Sequence, residues 1–321
     1  MASKDDATHS SDDDERIEAK RQTDPEERLY NAPDDGEVIR DYLAFNEIFA
    51  RVLSSADHEL SASNRYLFWS ALGAGAALGL TFLARVIFTE VSGESSPGLA
   101  GNLLYPVGFL IIVLGRYQLF TENTLTPVAL VLVKLASVAN TLRLWVVVLV
   151  ANMLGALGVA LLLAVSSVFD EPQTALALEM GRSSFEQDWF SLFSKAVIAG
   201  WIVAAMVWLV HSARDTISKI FFVFTLMYFI GVAELYHIIT SSVEVFFLAY
   251  RVEDVNFLEI VPEFVLPVLL GNMIGGIIFV AVLNYALFAE HEDSEMFHRY
   301  GERLDFKTWI FSLNTKNRNR K

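Results

Sequence analysis

At 321 residues, with 54% hydrophobic side chains and a mean hydropathy of +0.41, the chain has a membrane-protein composition, which excludes the soluble globular class. It has no cysteine, so disulfides, thiolate nucleophiles and cysteine-held metals are excluded as well. The net charge of −14 does not point to a nucleic-acid partner: residues 1–65 hold 17 Asp/Glu against 8 Lys/Arg, a net of −9, so most of the excess sits in one solvated stretch.

Residues 1–36 are Asp/Ser/Glu-rich, contain Pro25 and Pro33 and lack the apolar core of a signal peptide, which predicts a disordered acidic cytoplasmic tail. Over residues 37–64, Val38, Ile39, Tyr42, Leu43, Phe45, Ile48, Phe49, Val52 and Leu53 recur at helical spacing with charges between. That pattern predicts an amphipathic helix lying either on the membrane face or against the protein's own bundle.

Residues 65–290 are predicted to form a six-span domain. The first span is Tyr66 to about Thr89, where Gly73, Gly75 and Gly79 favour close helix packing and Arg85 is expected to snorkel outward. The second is an apolar run from Leu103 to Leu135, interrupted by Gly115 to Thr124 and then Pro127. As one helix these roughly 33 residues would be ~50 Å long, against ~30 Å of hydrocarbon. Arg116 and Glu122 within it must face protein or water, so two half-helices meeting at a polar loop are expected. The third span is Leu144 to Val168, with Asn152 to Gly155 facing a partner helix, and an acidic loop with some helical content follows between Asp170 and Asp188. The fourth is Phe190 to Val210, carrying Lys195 and Gly200. The fifth, Ile217 to Tyr250, is interrupted like the second, with Glu234, His237, Thr240, Ser241, Ser242 and Glu244 gathered at its middle. The sixth is Phe264 to Ala289, and residues 291–321 form a basic tail with seven Lys/Arg.

Lys and Arg fall on alternate sides of this arrangement. The first and fifth loops and the Asp170 to Asp188 loop hold none, Arg251 and Arg182 respectively, while the others carry Lys134 and Arg143, and Arg214 and Lys219. Both termini are therefore expected on the cytoplasmic side. Asn152-Met153-Leu154-Gly155-Ala156 matches Asn272-Met273-Ile274-Gly275-Gly276 at an offset of 120, which also lays Thr121 on Ser241 and Tyr117 on His237. A three-span unit repeated once (about 66–168 and 190–289) must be inverted, because three crossings reverse the side on which the second copy begins. Two interrupted spans, one per repeat, point to a channel or transporter.

Gln118-Leu119-Phe120-Thr121-Glu122-Asn123-Thr124 resembles the E-L-F-T-x-N loop of the formate/nitrite transporter family. The likeness continues through Ala151 to Gly155, His237, and Gly271 to Gly276, over roughly residues 65–290. Arg116 to Thr124, Ala199-Gly200-Trp201 and His237 to Glu244 look more narrowly like its YfdC-type branch. The resemblance implies an aquaporin-like, all-α six-span protomer with its second and fifth helices broken. It also implies assembly as a homopentamer, one pore per protomer, and passage of small monovalent anions such as formate or nitrite, coupled to protons. No cofactor is implied. By the same resemblance Leu119, Phe120 and Thr121 fall on the pore loop and His237 on the central pore histidine. The chain departs from the family pattern at Gln118, at Glu234 (three residues ahead of the histidine), at Ser241 and at Gly200, with Arg182 and Lys195 as stand-ins for an upstream lysine.

An anion crossing a low-dielectric layer needs donors or a proton. His237 can donate, carry charge or pass a proton to a weak-acid anion, or it can be a structural imidazole. Thr121 can donate to a passing anion or cap the second half-helix. Leu119 and Phe120 can form an apolar gate or simply pack. Glu234 and Glu244 suit an ion-pair network in which Arg85, Arg116 or Lys195 supplies the counter-charge. Asn152 and Asn272 are expected to bridge the broken segments. The competing readings are a pore for neutral small solutes, motivated by Gly200 and Gln118, and a membrane sensor or scaffold working through the acidic tail. No nucleophile-base set, metal cluster or nucleotide loop supports an enzyme.

Overall fold

The computed structural model describes residues 43–290 and 303–313, all of them helix or connecting loop, with no strand among them. The expected acidic tail, residues 37–42 of the amphipathic segment, and residues 291–302 and 314–321 of the basic tail lie outside the described residues. The helices are α1 (Phe45–Ser61), α2 (Asn64–Ser92), α3 (Val107–Gly115), α4 (Thr126–Leu132), α5 (Val138–Val165), α6 (Glu171–Phe185), α7 (Trp189–Ser212), α8 (Thr216–Val232) and α9 (Ile238–Arg251). They are followed by α10 (Phe257–Ile260), α11 (Leu266–Gly276), α12 (Leu283–Glu290) and α13 (Phe306–Phe311).

Among the described residues four stretches are long and apolar enough to cross a membrane: α2, α5, α7 and Phe257–Gly276. Their ends follow ordinary capping rules. Ser63 accepts from Tyr66 N–H, Ser137 from Asn140 N–H, and Asp188 from the N–H groups of Phe190 and Ser191, while Gly93 closes α2 in the left-handed conformation (φ 70°). The last span starts earlier than the apolar pattern indicates, because Asn256 caps α10 and helical turns run on through two π segments. Pro262 lies in the first of these and Pro267 just beyond it, each removing a backbone donor from the regular ladder.

Two helix pairs form the frame. In α2 a Cβ added at Gly75 would lie 2.0 Å from Asn152 O of α5, and one at Gly155 would lie 2.3 Å from Leu72 O. In α7 a Cβ at Gly200 would lie 2.3 Å from Asn272 O of α11, and one at Gly275 would lie 2.0 Å from Val197 O. Backbone therefore touches backbone in both pairs, the close approach that small residues allow in membrane helices. Gly79 belongs to the same seam, facing Val159, whereas Gly73 faces the Tyr117 ring.

The acidic stretch after α5 is more ordered than expected of a loop. Asp170 and Gln173 form a reciprocal capping box with Pro172 in the first turn, and α6 runs for 15 residues with Gly181 packed on Glu244 O of α9. At the other end of the molecule α1 lies against its own bundle. It buries Phe49, Val52, Leu53, Ala56 and Leu60, sets Phe45 at a tilt against Trp208 of α7 with ring centroids 5.2 Å apart, and receives Arg143 Nη2 at Leu60 O. Part of the expected C-terminal tail docks too: Trp309 donates to Val131 O, Leu304 N–H to Lys134 O, and Ser137 Oγ to Ser312 O.

Glu59 of α1 is buried (8% exposed) and accepts from Asn123 Nδ2 at 3.1 Å, Thr126 Oγ1 at 2.6 Å and Ser55 Oγ at 3.1 Å. Burial pushes its carboxyl up to about 7, and the three hydrogen bonds oppose that only partly. A carboxyl raised on folding binds its proton more tightly in the folded state, so its contribution is greatest at low pH and is lost as pH rises from its ordinary value of 4.5 towards 7. Protection factors of α1 amides, which is exchange corrected for its intrinsic base-catalysed rate, should accordingly be larger at pH 5 than at pH 8 in the wild type, and that difference should shrink in Glu59→Gln; an unaltered difference rejects the assignment. Gly200→Ala should lower thermal stability in detergent by an overpacking penalty of roughly 1–3 kcal/mol. Gly158→Ala, where nothing lies within 4 Å, is the neutral control.

Candidate functional site

The two interrupted runs end their first helices in the same way. Past Gly115, Arg116 takes φ 56° and Tyr117 N–H donates back to Ile112 O; past Val232, Glu234 takes φ 50° and Leu235 N–H donates back to Ile230 O. A left-handed non-glycine residue carries a penalty of roughly 1–2 kcal/mol, so both turns are held by their surroundings.

The asparagines hold them. Asn152 Oδ1 accepts from Phe120 N–H (2.9 Å), and its amide donates to Gln118 O (3.0 Å) and to Ala71 O of α2 (2.7 Å). Asn272 Oδ1 accepts from Ile238 N–H (2.8 Å), and its amide donates to Tyr236 O (2.9 Å) and to Ala196 O of α7 (2.8 Å). Each amide thus satisfies two backbone groups at the break that lack helical partners and anchors itself on a mid-helix carbonyl of the neighbouring span. These bonds also correct the repeat register. Phe120 corresponds to Ile238 and Gln118 to Tyr236, 118 residues apart, while Asn152 and Asn272 keep the offset of 120. Leu119, not Tyr117, therefore stands where the second repeat has His237, and Thr121 does not correspond to Ser241. A constant offset failed because the connections between helices differ in length in the two halves.

His237 is the N-cap of α9 and fully buried. Its Nδ1 accepts from Thr240 N–H at 3.3 Å, and since a backbone N–H can only donate, the proton of the neutral ring belongs on Nε2. Nε2–H then donates to Thr121 Oγ1 at 2.7 Å, tying the loop of one repeat to the cap of the other. Of the two roles open for Thr121, the hydroxyl makes no helix-capping bond; it meets the imidazole. Phe109 lies edge-on to the ring at 5.0 Å, Leu119 and Phe120, which precede Thr121 in sequence, are buried, and Phe120 packs edge-to-face on Trp145.

Two cavities lie at opposite ends of α2. One, of about 570 Å³, reaches Tyr66, Gln118, Glu122 and Ile112; the other, of about 110 Å³, reaches Arg85, Tyr105, Ser241 and Glu244. Tyr66 and Arg85 are 19 residues apart on one helix, which is ~28 Å. His237, Thr121, Leu119 and Phe120 line neither cavity, so the buried histidine-threonine pair is closed off from both.

Several charged residues sit elsewhere than expected. Arg85 does not snorkel: it turns inward to Glu244, donates to Asn102 Oδ1 at 2.9 Å and stacks over the Tyr105 ring at 5.4 Å. Of the two roles the sequence offers Arg85, snorkelling to headgroups and countering a buried glutamate, the second wins because a buried carboxylate is the stronger partner. Ser184 Oγ also donates to Glu244. Glu234 is exposed at the mouth of the smaller cavity, Arg182 pairs with Asp254 at 3.1 Å on the surface, and Lys195 lies 5.5 Å from the Tyr236 ring. Gly200 is accounted for by close packing on Asn272 O, which leaves no space for any side chain. Of the counter-charges the sequence offers for Glu244, the structure selects Arg85; Tyr105 is the residue that sequence reasoning missed, since nothing in an apolar run distinguishes a cavity-lining tyrosine from a packing one. Among the described residues no group of three His, Asp or Glu is placed to hold a metal.

The formate/nitrite transporter family model matches residues 46–286, and the chain belongs to that family. It is 33% identical to the inner membrane protein YfdC of Escherichia coli (strain K12) over 243 residues, covering 74% of this chain and 77% of that protein. A solved pentameric formate channel with formate bound superposes with a TM-score of 0.60 at 20% identity, over 70% of this chain and 98% of that one. A solved FNT family ion channel superposes with a TM-score of 0.67 at 17% identity, over 75% and 99%. These two superpositions establish the shared helical fold.

Replacing Asn272 by Leu, similar in size but unable to hydrogen bond, should strand two buried backbone groups, Ile238 N–H and Tyr236 O, at roughly 1–3 kcal/mol each. The expected result is a thermal midpoint well below that of Asn46→Leu, a half-buried control on α1; equal midpoints would remove the bridging role.

Proposed function

We propose that the protein is a multi-pass membrane channel or secondary transporter for a small monovalent anion of a weak acid, formate or nitrite in type, working as a homopentamer with one pore per protomer. The observation that carries this reading is the Thr121–His237 hydrogen bond, made between the two interrupted segments inside a buried layer that separates two cavities. The family match and the pentameric formate channel among its structural neighbours support the substrate class and the assembly. The Lys/Arg distribution supports placing both termini on the cytoplasmic side.

In this reading the layer of Leu119, Phe120 and Phe109 excludes water, and an anion entering it meets the Nε2–H of His237 and the Thr121 hydroxyl as donors. Two donors replace only part of a hydration shell, so crossing is easiest for an anion that travels with a proton from solvent. Asn152, Asn272 and Gln118 position the loop, and Ser241 and Glu234 belong to the approach from the smaller cavity.

The test is formate flux into proteoliposomes under a controlled pH gradient. Flux should rise with an inward proton gradient and fall in His237→Ala by about 10–150-fold, the equivalent of one hydrogen bond to a charged group at about 1.5–3 kcal/mol. Unchanged flux in the variant would remove His237 from the path. The carboxylates Glu179, Glu234 and Glu244 around the smaller cavity favour one alternative, a pore for neutral solutes. Osmotic swelling without any anion current in planar bilayers would decide for it.

A further inference from the structure

The smaller cavity holds a feature that the histidine-threonine layer does not explain. Among its described lining residues Arg85 is the one Lys or Arg, and it is turned onto Glu244. Both side chains are nearly buried, at 11% and 5% exposure. Beside them the hydroxyl of Tyr105, itself only 2% exposed, has no hydrogen-bond partner among the described residues. Ser241 lines the same wall, one turn past His237, and Glu244 follows on the same face of α9. A guanidinium, an unsatisfied phenol and a serine hydroxyl converging on one pocket make a donor set with room for a small anion, and in this structure the acceptor facing it is Glu244.

We propose that Arg85, Tyr105 and Ser241 form an anion-binding site in this cavity, and that Glu244 is the internal counter-ion which the anion displaces, taking up one proton as it leaves Arg85. This deepens the transport reading and rests on it for the substrate class. The physical reason is that a buried carboxylate stripped of its counter-charge is strongly disfavoured, whereas its neutral acid is not. The groups facing Glu244 reinforce this. Arg85 comes from α2, Tyr105 from the segment before α3, Ser184 and Glu179 from α6, Glu234 and Tyr236 from the second break, and His237 from the start of α9. Arg85 is the sole cationic side chain among these, and His237 lies away from the cavity in its own closed pair. The exchange makes and breaks no covalent bond except O–H: the anion replaces the carboxylate at the guanidinium, and a proton from solvent binds a Glu244 oxygen. Anion and proton would thus enter together from this side.

The purified full-length protein in detergent is titrated with sodium formate by calorimetry in buffers of different ionisation enthalpy, which counts protons taken up on binding. About one proton per formate is expected for the wild type and about none for Glu244→Gln. The double variant Arg85→Gln/Glu244→Gln, which leaves neither charge orphaned, should lose formate binding while keeping its thermal midpoint, so the result does not depend on the single variant folding. Wild-type protein that binds no formate or binds it without proton uptake, a Glu244→Gln protein that still takes up a proton, or a double variant that binds normally would each overturn the proposal. Proteoliposome flux measured alongside separates the two readings. Flux with proton uptake unaffected by Glu244→Gln removes the counter-ion role and leaves transport standing, whereas proton-linked binding without flux does the opposite.

Discussion

Two side-chain amides carry the architecture. Wherever a helix stops inside an apolar layer, its backbone donors and acceptors must find partners within the protein, because lipid offers none. Asn152 and Asn272 each meet this requirement with one acceptor and two donors, tying the break to the neighbouring span at Ala71 or Ala196. That arrangement is possible only because the glycine seams bring α2 onto α5 and α7 onto α11 at backbone contact, so that an asparagine on one helix reaches a carbonyl on the other. Once the breaks are fixed, the N-cap of α9 puts an imidazole at the place where the other repeat presents Thr121.

Much of this was legible in the sequence because it follows from length and chemical type. A run too long for one crossing, broken by Arg116 and Glu122 on one side and by Glu234 to Glu244 on the other, could only fold back on itself. What escaped the sequence was direction. Whether Arg85 pointed to the headgroups or to the core depended on Glu244, 159 residues away. No periodicity reports such a partner. The repeat register escaped for a related reason: the Asn-Met-x-Gly strings fix the offset only locally, and connection lengths shift it elsewhere. The stretch after α5 reads from its sequence as an acidic loop with some helical content, because its apolar content is low; the capping box of Asp170 with Gln173 is the clue that it is a helix of 15 residues.

The two repeats share a backbone design and differ in chemistry. At corresponding positions one places Leu119 where the other places His237, and one places Arg116 where the other places Glu234. The differences are concentrated where they change polarity, while the bridging asparagines and the seam glycines are the same in both. The cavities differ accordingly. Among the described residues the larger is lined by Arg51, Arg116 and Lys219 together with Glu59 and Glu122, and the smaller by three carboxylates around a single arginine.

The backbone-to-backbone seams also have a mechanical consequence. Helices separated by long side chains can slide by repacking rotamers, but pairs in carbonyl contact have no such cushion and move as rigid struts. Any rearrangement that opens the closed layer must then be absorbed by the short segments α3, α4, α8 and α9 and by the αL turns between them, leaving the struts as a fixed chassis.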